Sequence, residues 1–490
     1  MTEDQRSILV RVRSRTRRWD AERGCFVYDI RFKTRAQLSD RTIEVARAFG
    51  LGIDEEKEHI VFRDFELKLA DGDVVYITGD SGSGKSVLLR ALAEDLGDKA
   101  INIDDVEVDP EKPLIDTVGR TFQEALTLLS KVGLNGAFLF LRRYPELSDG
   151  QRYRYRIAKM IDMTSTSGKK KYWLCDEFAS TLDRTTAKIV AYNIQKMAGR
   201  SGATLIVATT HMDLDEDLNP SIRIDKGWGE EVKVEYRPNR EAPLCTVTRD
   251  ITIREGSMAD YHKLSHLHYR EQASICPIKI YVMERQGELI GVITYNYSPV
   301  NTSGRMKAVG HRVSIEELNR DFCIIKRVIL HPKYRTTGLG TRLVRDTLPM
   351  IGRRYVELTA VMAQYNPFAE HAGMRKIQET TPDPKVLLAI EKLRIMGFNP
   401  ILLASEGSNL RRLRDLNPEE VDRVREILLS VPAYKRIRSG GEPYYKKEEM
   451  RKWLWEQDLQ SLAKRLQILS VLSETKVYLF WCRDWLEARI

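Results

Sequence analysis

Apolar and polar positions fall into blocks that predict a strand pair, two mixed regions of strands and helices, and a run of helices. Near the start, Ile8 to Trp19 places Arg11, Arg13, Arg15 and Arg17 on one face by period two, with Cys25 to Phe32 as the return strand of a hairpin. The apolar runs Val74-Val75-Tyr76-Ile77, Tyr172-Trp173-Leu174-Cys175 and Leu205-Ile206-Val207-Ala208 read as strands, and Arg152 to Met160 as a helix. From about residue 245 the pattern changes. Ile251 to Gln272 is a short apolar start running into a helical segment, and Lys279 to Met283 with Leu289 to Tyr295 forms a hairpin turning at Gln286-Gly287. Cys323 to Leu330 and Tyr355 to Val361 are further strands. Beyond residue 375, helices are expected at Pro384 to Met396, Pro418 to Leu429 and Lys447 to Val471, then a short strand near Lys476 to Trp481.

The chemistry is densest after the first apolar run, where Gly79-Asp80-Ser81-Gly82-Ser83-Gly84-Lys85-Ser86 leads into Val87-Leu88-Leu89. Strand, glycine-rich turn and helix in this order make a phosphate-binding loop. Glycines let backbone N–H groups wrap the phosphates, Lys85 reaches the β- and γ-phosphates, and the Ser86 hydroxyl is placed for Mg²⁺. The chain is therefore expected to bind a nucleoside triphosphate.

Four segments follow in fixed order: Leu147-Ser148-Asp149-Gly150-Gln151 before a helix, Asp176-Glu177 ending a strand, Ser180-Thr181-Leu182-Asp183, and Leu205 to His211, a strand ending in the histidine. At a strand end Asp176 can hold the Mg²⁺ shell, and Glu177 can polarise a water for in-line attack on the γ-phosphate. With the turn they resemble the ABC ATPases over roughly residues 55 to 238, as signature motif, Walker B, D-loop and switch histidine. The resemblance makes Glu177 and His211 catalytic, assigns Mg²⁺ to Ser86 and Asp176, and places ATP against Gly79, Ser81 to Ser86, Ser148, Gly150, Gln151 and Asp183. It also implies a homodimer, because Ser148 and Gly150 contact the ATP held by the opposite subunit. Asp149 departs from the usual glycine, and the short distance from Lys85 to Leu147 implies a trimmed helical subdomain. Gln123 and Glu107 both remain open as the coupling glutamine position.

A second cradle follows the Cys323 to Leu330 strand, in His331-Pro332-Lys333-Tyr334-Arg335-Thr336-Thr337-Gly338-Leu339-Gly340-Thr341. It resembles motif A of the GNAT acetyltransferases, R-x-x-G-x-G between strand and helix, where helix N-terminal N–H groups cradle the pyrophosphate of acetyl-CoA. Asn366 to Met374 resembles that family's closing helix. The resemblance places acetyl-CoA against Val328, Leu330, Arg335 to Thr341 and Asn366. The position where many relatives carry a tyrosine acid is Ala369, with Tyr365 nearby. His331, Glu357 and His311 are base candidates, and spacing does not choose among them. The polar, basic insert Asn296 to Arg320 is expected to help recognise substrate.

Composition narrows the setting. No stretch approaches 18 consecutive apolar residues, and the Arg-rich start lacks an apolar signal region, so a cytoplasmic protein with no membrane span is expected. The six cysteines are scattered without zinc-site spacing and read as reduced thiols. Residues 46–250 hold 35 acidic against 29 basic side chains, so the net charge of +9 comes from the flanks. A basic surface there points to nucleic acid. Trp453, Trp455, Trp481 and Trp485 lie among these basic residues and read first as core, then as base-stacking groups.

The expected fold is α/β: an N-terminal hairpin (1–50), an ABC-type ATPase (51–243), a GNAT domain (244–380) and a helical basic region (381–490). The whole looks like the ABC ATPase and acetyltransferase fusions of archaea and phages. The leading expectation is an ATP-dependent acetyltransferase acting on RNA, such as tRNA. By analogy, the tRNA cytidine acetyltransferases pair GNAT with another type of ATPase. The alternatives are a protein acetyltransferase with an ABC motor, and a nucleic-acid-binding ABC machine whose GNAT fold is inactive.

Overall fold

The computed structural model describes residues 9–10, 17–34, 39–52, 57–168, 171–268, 276–432 and 446–487. The chain divides into two compact units. The first comprises Met1–Ala273, Tyr281–Val292 and Ile329–Gly340, and the second Ser274–Ile280, Ile293–Val328 and Thr341–Ile490.

The first unit opens with β1 (Leu9–Val10), β2 (Arg17–Asp20), β3 (Cys25–Thr34) and β4 (Lys57–Leu67). β1 and β2 both pair antiparallel with β3, as the hairpin pattern requires; Arg11, Arg13 and Arg15 lie outside the described residues. β4 also pairs along β3, from Phe26↔Leu67 to Thr34↔Lys57. Phe26, Tyr28 and Ile30 of β3 share a core with Phe62 of β4 and with Val75, Leu88 and Ile206. β3 and β4, on either side of residue 50, therefore share one sheet and one core. Segregating the hairpin would expose that apolar face, so it belongs with the ATPase fold.

The second sheet holds β5 (Val74–Thr78), β6 (Ala100–Asn102), β7 (Tyr172–Cys175), β8 (Thr204–Ala208), β9 (Ile222–Lys226) and β10 (Val232–Tyr236), in the order β10-β9-β5-β8-β7-β6. β5 runs parallel to β8 and β9, and every residue of β5 and β8 is buried. Burial on both faces explains their unbroken apolar runs. The strand expected to end in His211 stops at Ala208, which leaves the histidine on the loop beyond it.

The third sheet contains β11 (Ile251–Glu255), β12 (Pro277–Arg285), β13 (Glu288–Asn296), β14 (Phe322–Leu330), β15 (Tyr355–Ala360), β16 (Arg375–Thr380) and β17 (Lys476–Cys482), in the order β11-β12-β13-β14-β15-β17-β16. The hairpin turn lies at Gln286 and Gly287, with φ of 50° and 80°. β17 pairs antiparallel with β15 from Tyr355↔Cys482 to Ala360↔Val477, and with β16 on its other side. The helices Pro384–Ile395, Glu406–Arg414, Pro418–Ser430, Lys447–Trp455 and Leu459–Leu472 pack around Val424, Leu428, Leu454, Leu462 and Leu466. The helix expected over 447–471 breaks after Trp455, where Asp458 caps its successor by accepting from the Ser461 N–H at 2.7 Å. β17, beyond residue 380, lies in the same sheet between β15 and β16. Trp453 and Trp455 pack against the helical core, and Trp481 is buried in β17, so these tryptophans are structural.

Candidate functional site

The turn after β5 is shaped by close approach. A Cβ at Gly79 (φ 142°) would sit 2.1 Å from the Lys226 carbonyl oxygen, and one at Gly84 (φ 108°) 2.4 Å from a Val61 methyl. Only glycine fits at either position. Lys85 begins the helix Lys85–Leu96, and its Nζ donates to the carbonyls of Gly79 (2.8 Å) and Asp80 (2.7 Å). Burial pushes the Lys85 ammonium below its usual range, opposed by the carboxylates of Asp176, Asp80 and Glu177. The lysine and the carboxylates after β7 therefore share one electrostatic environment. Ser83 Oγ is buried without a hydrogen-bond partner among the described residues. An orphaned hydroxyl inside a ring of glycines fits a phosphate acceptor. Ser81 and Gly82 are exposed in the turn and Ser86 is half-buried in the first turn of the helix. Exposed Trp228 brings its indole to 3.5 Å from where a Gly82 Cβ would lie.

After β7 the backbone is strained at two non-glycine residues, Glu177 (φ 45°) and Ala179 (φ 60°). Each costs about 1–3 kcal/mol, a burden that clusters at functional sites. The turn is fixed by Phe178 N–H donating to the Ala208 carbonyl at 2.8 Å and by Glu177 N–H donating to Asp176 Oδ1 at 2.9 Å. The Tyr76 hydroxyl donates to the His211 carbonyl, and burial with the nearby Arg184 cation pulls the His211 imidazole below its ordinary 6.5, opposed by Asp213. Ser148 caps the helix Asp149–Ser167, its N–H donating to Gln151 Oε1 at 3.1 Å. A Cβ on Gly150 would meet Thr181 O at 3.2 Å and Leu182 Cδ2 at 3.1 Å, so the signature glycine rests on the Ser180–Asp183 loop. Asp149 is 86% exposed and pairs with Arg152 at 3.5 Å. Asp183 accepts from Thr186 N (3.2 Å) and Oγ1 (2.6 Å) as the cap of the helix Arg184–Ser201. Gln123 lies in the first turn of the helix Phe122–Lys131, and Glu107 in an irregular segment.

The second cradle is also strand, turn and helix. In β14, Ile329 is buried while Val328 and Leu330 occupy the opposite, half-buried face, and Leu330 fills the space beside Gly291 and Gly340. Thr336 (φ 68°) and Gly338 (φ 86°) turn the chain into the helix Leu339–Thr347, whose first N–H groups have no intrahelical acceptor. A β-branched residue at that φ costs about 1–3 kcal/mol. Thr337 Oγ1 donates to the Tyr334 carbonyl at 2.7 Å. The Arg335 side chain is committed elsewhere: Nε donates to Leu330 O (3.1 Å) and Nη1 to Asn135 O (2.7 Å). Its contribution to a pyrophosphate is thereby limited to the backbone. Thr341 begins that helix's interior, and Asn366 is exposed, its N–H donating to Met362 O at 2.9 Å.

In the second unit, β14 and β15 pair in parallel at Phe322↔Tyr355, Cys323↔Val356 and Ile324↔Glu357 only, although both strands continue. The unpaired carboxyl ends leave the kind of opening where α/β sheets bind ligands. Glu357 is fully buried and its carboxylate accepts from Arg305 Nε and Nη2, both at 2.8 Å, and from the Tyr478 hydroxyl at 2.6 Å. A carboxylate so engaged is a lock rather than a base. His311 is exposed and raised by its 3.0 Å bond to Glu317, whereas burial lowers half-buried His331. Ala369 is 2% exposed, and the Tyr365 N–H donates to Met362 O at 3.0 Å. Sequence reading missed one row: Thr294 Oγ1, Asn296 Oδ1 and Ser298 Oγ, at alternating positions, are buried without partners among the described residues. Their period-two spacing was the available signal.

A lysine closed into a glycine turn beside paired carboxylates makes the first unit a phosphate-loop nucleoside triphosphatase. The description "ABC transporter" matches residues 62–134, and "Acetyltransferase (GNAT) family" matches residues 248–372. The glutamine transport ATP-binding protein GlnQ of Escherichia coli is 30% identical over 207 residues, covering 34% of this chain and 82% of that protein. The aliphatic sulfonates import ATP-binding protein SsuB 2 of Nocardia farcinica is 31% identical over 239 residues, 44% of this chain and 92% of that protein. Among solved structures, the post-hydrolysis dimer of the ATP-binding cassette MJ0796 with ADP and Pi aligns with a TM-score of 0.31 at 20% identity, covering 38% of this chain and 94% of that one. The chain belongs to the ATP-binding cassette ATPases, and it carries a GNAT acetyltransferase domain behind the cassette. It is thus an ATPase joined to an acyltransferase, and none of its described helices is long and apolar enough to cross a membrane.

Proposed function

We propose that the protein is an ATP-dependent acetyltransferase whose acceptor is nucleic acid, structured RNA such as tRNA above all. The observation that carries the reading is that Arg335–Gly340, the acetyl-CoA turn, is built into the same compact unit as the ATPase motifs. Two cradles in one unit make ATP binding and acetyl transfer parts of one cycle.

Lys85 and the turn amides would hold the ATP phosphates, Glu177 would polarise the attacking water, and neutral His211 would contact the γ-phosphate. Ser86 and Asp176 would hold Mg²⁺, which would supply charge neutralisation to the phosphates. Ser148 and Gly150 would complete the site of a second copy, giving a homodimer. The amides of Thr337 to Gly340 would hold the acetyl-CoA pyrophosphate and His331, neutral at pH 7, would take the acceptor's proton. An RNA acceptor is supported by the basic flanks, where residues 251–374 hold 17 basic and 11 acidic side chains and residues 375–490 hold 22 and 17. The cytoplasm follows as the compartment of such a substrate.

Radiolabelled acetyl-CoA incubated with total RNA and total protein, with and without ATP, tests the reading. ATP-dependent label in RNA is the expected result. Label in protein alone would make it a protein acetyltransferase, and label in neither would favour a machine with an inactive GNAT fold, the reading that buried Ala369 supports.

A further inference from the structure

Three contacts inside the first unit tie the acetyl-CoA turn to the ATPase. Asn193 Nδ2, on the Arg184–Ser201 helix, donates to Thr336 Oγ1 at 3.1 Å, and that hydroxyl donates to the Arg335 carbonyl at 2.5 Å. Asn135 Nδ2 donates to Pro332 O at 3.3 Å and its carbonyl receives Arg335 Nη1 at 2.7 Å. Lys333 Nζ lies 3.5 Å from Asp183 Oδ1. Asn193 is 3% exposed, and the threonine it holds is the one in the left-handed region. Without such a hold a β-branched residue leaves that conformation. The cap Asp183 and Asn193 belong to one helix and move as a rod of about 15 Å. Ahead of the rod, Gly150 of the signature segment rests on Thr181 and Leu182. A contiguous path therefore runs from the group that would meet a second subunit's ATP, through the Ser180–Asp183 loop, to the turn that would hold acetyl-CoA.

We infer that the ATPase completes the acetyl-CoA cradle, with Asn193 and Asn135 as positioning residues for the Thr336 turn and the Asp183–Lys333 pair carrying the ATP state to it. The inference rests on the reading of Arg335–Gly340 as the acetyl-CoA turn. ATP-driven closure presses on the signature segment, shifts the loop and its helix, and resets the turn's donors. By linkage, acetyl-CoA then alters ATP affinity by the same factor.

The full chain is titrated with radiolabelled acetyl-CoA by equilibrium dialysis, with and without Mg²⁺ and a non-hydrolysable ATP analogue. The analogue is expected to change the acetyl-CoA Kd about fivefold or more, within the usual range of coupling between sites. Lys333→Met leaves Asp183 its Thr186 bonds and abolishes that change, with the Kd in the absence of analogue unaltered. Thr336→Val raises the acetyl-CoA Kd and KM about tenfold with kcat at saturation unaltered, on the scale of one lost buried hydrogen bond. Thr336→Ser, which keeps the hydroxyl, restores both, and Asn193→Ala adds nothing to Thr336→Val. A Kd indifferent to the analogue, or a full response in Lys333→Met, overturns the coupling alone. Absence of acetyl-CoA binding in every arm overturns the acetyl-CoA assignment and the coupling with it. A Thr336→Val variant with wild-type Kd overturns the positioning role.

Discussion

Replacing Arg305 by methionine should destabilise the second unit sharply, and the size follows from what Glu357 would keep. The carboxylate is fully buried and holds two guanidinium bonds and one from the Tyr478 hydroxyl. Removing one partner of a buried ion pair costs about 3–5 kcal/mol, because the surviving charge stays out of water. Arg305 also bonds the carbonyls of exposed Pro299 and Val300 and the half-buried Thr302 hydroxyl, where water can replace it. Arg305→Met/Glu357→Met removes the stranded charge and leaves only the Tyr478 hydroxyl unsatisfied, about 1–3 kcal/mol. Adding Tyr478→Phe should bring the unit back near wild type, since apolar replacement of a buried pair is often neutral or better. Amide hydrogen exchange of β15 and β17 peptides in the full chain reads the effect. A loss of 3–5 kcal/mol accelerates exchange by about 10²- to 10⁴-fold. Acceleration below tenfold in the single variant, or a triple variant no slower than the single, would refute the reasoning. If the triple variant is folded yet loses acetyl transfer, Glu357 takes part in the chemistry and its reading as a lock is wrong.

Three further outcomes are expected. The pH–rate profile of ATP hydrolysis should keep its acid limb below 6.5, because burial and Arg184 disfavour protonated His211. Arg184→Met removes a cation and so raises that pKa, moving the limb to higher pH; an unmoved limb or one shifted lower removes His211 from the profile. Glu177→Gln with ATP should appear as a dimer in light scattering, and a strict monomer would end the composite-site proposal. ATP should change the tryptophan emission through Trp228, whose indole stands beside the phosphate turn, and the change should vanish in Trp228→Phe; a signal that survives the substitution would place its source elsewhere.

How legible the fold was depended on how local the cause was. Gly79 to Ser86 could be read directly, since a phosphate turn needs glycine where a Cβ would strike Lys226 or Val61, and that need fixes the spacing. The Gln286-Gly287 turn was equally plain, because left-handed backbone selects those residues. The partner of a strand is not local. Phe26 to Ile30 looked like an isolated hairpin arm because nothing in its alternation names β4 as its other neighbour. Lys476 to Trp481 was legible as a strand, yet its alternation fits an edge or a centre, and its place between β15 and β16 was hidden. The same holds for Asn193 with Thr336, Asp183 with Lys333 and Arg305 with Glu357, pairs far apart along the chain whose meaning lies in packing. Arg335 illustrates the converse: its motif was found, but the motif says nothing of the carbonyls that occupy its side chain.

The position of β17 also sets the order of events during synthesis. β15 and β16 leave the ribosome long before Lys476 to Cys482 does, and each must wait with an unfilled edge, since the strand that separates them has not been translated. Such an edge attracts other strands, and long-range pairing of this kind is slow. A nascent chain can therefore finish its phosphate turn while its acetyltransferase sheet is still open. A polypeptide cut short before β17 would lack the strand that joins β15 to β16, and its acetyltransferase sheet would stay open.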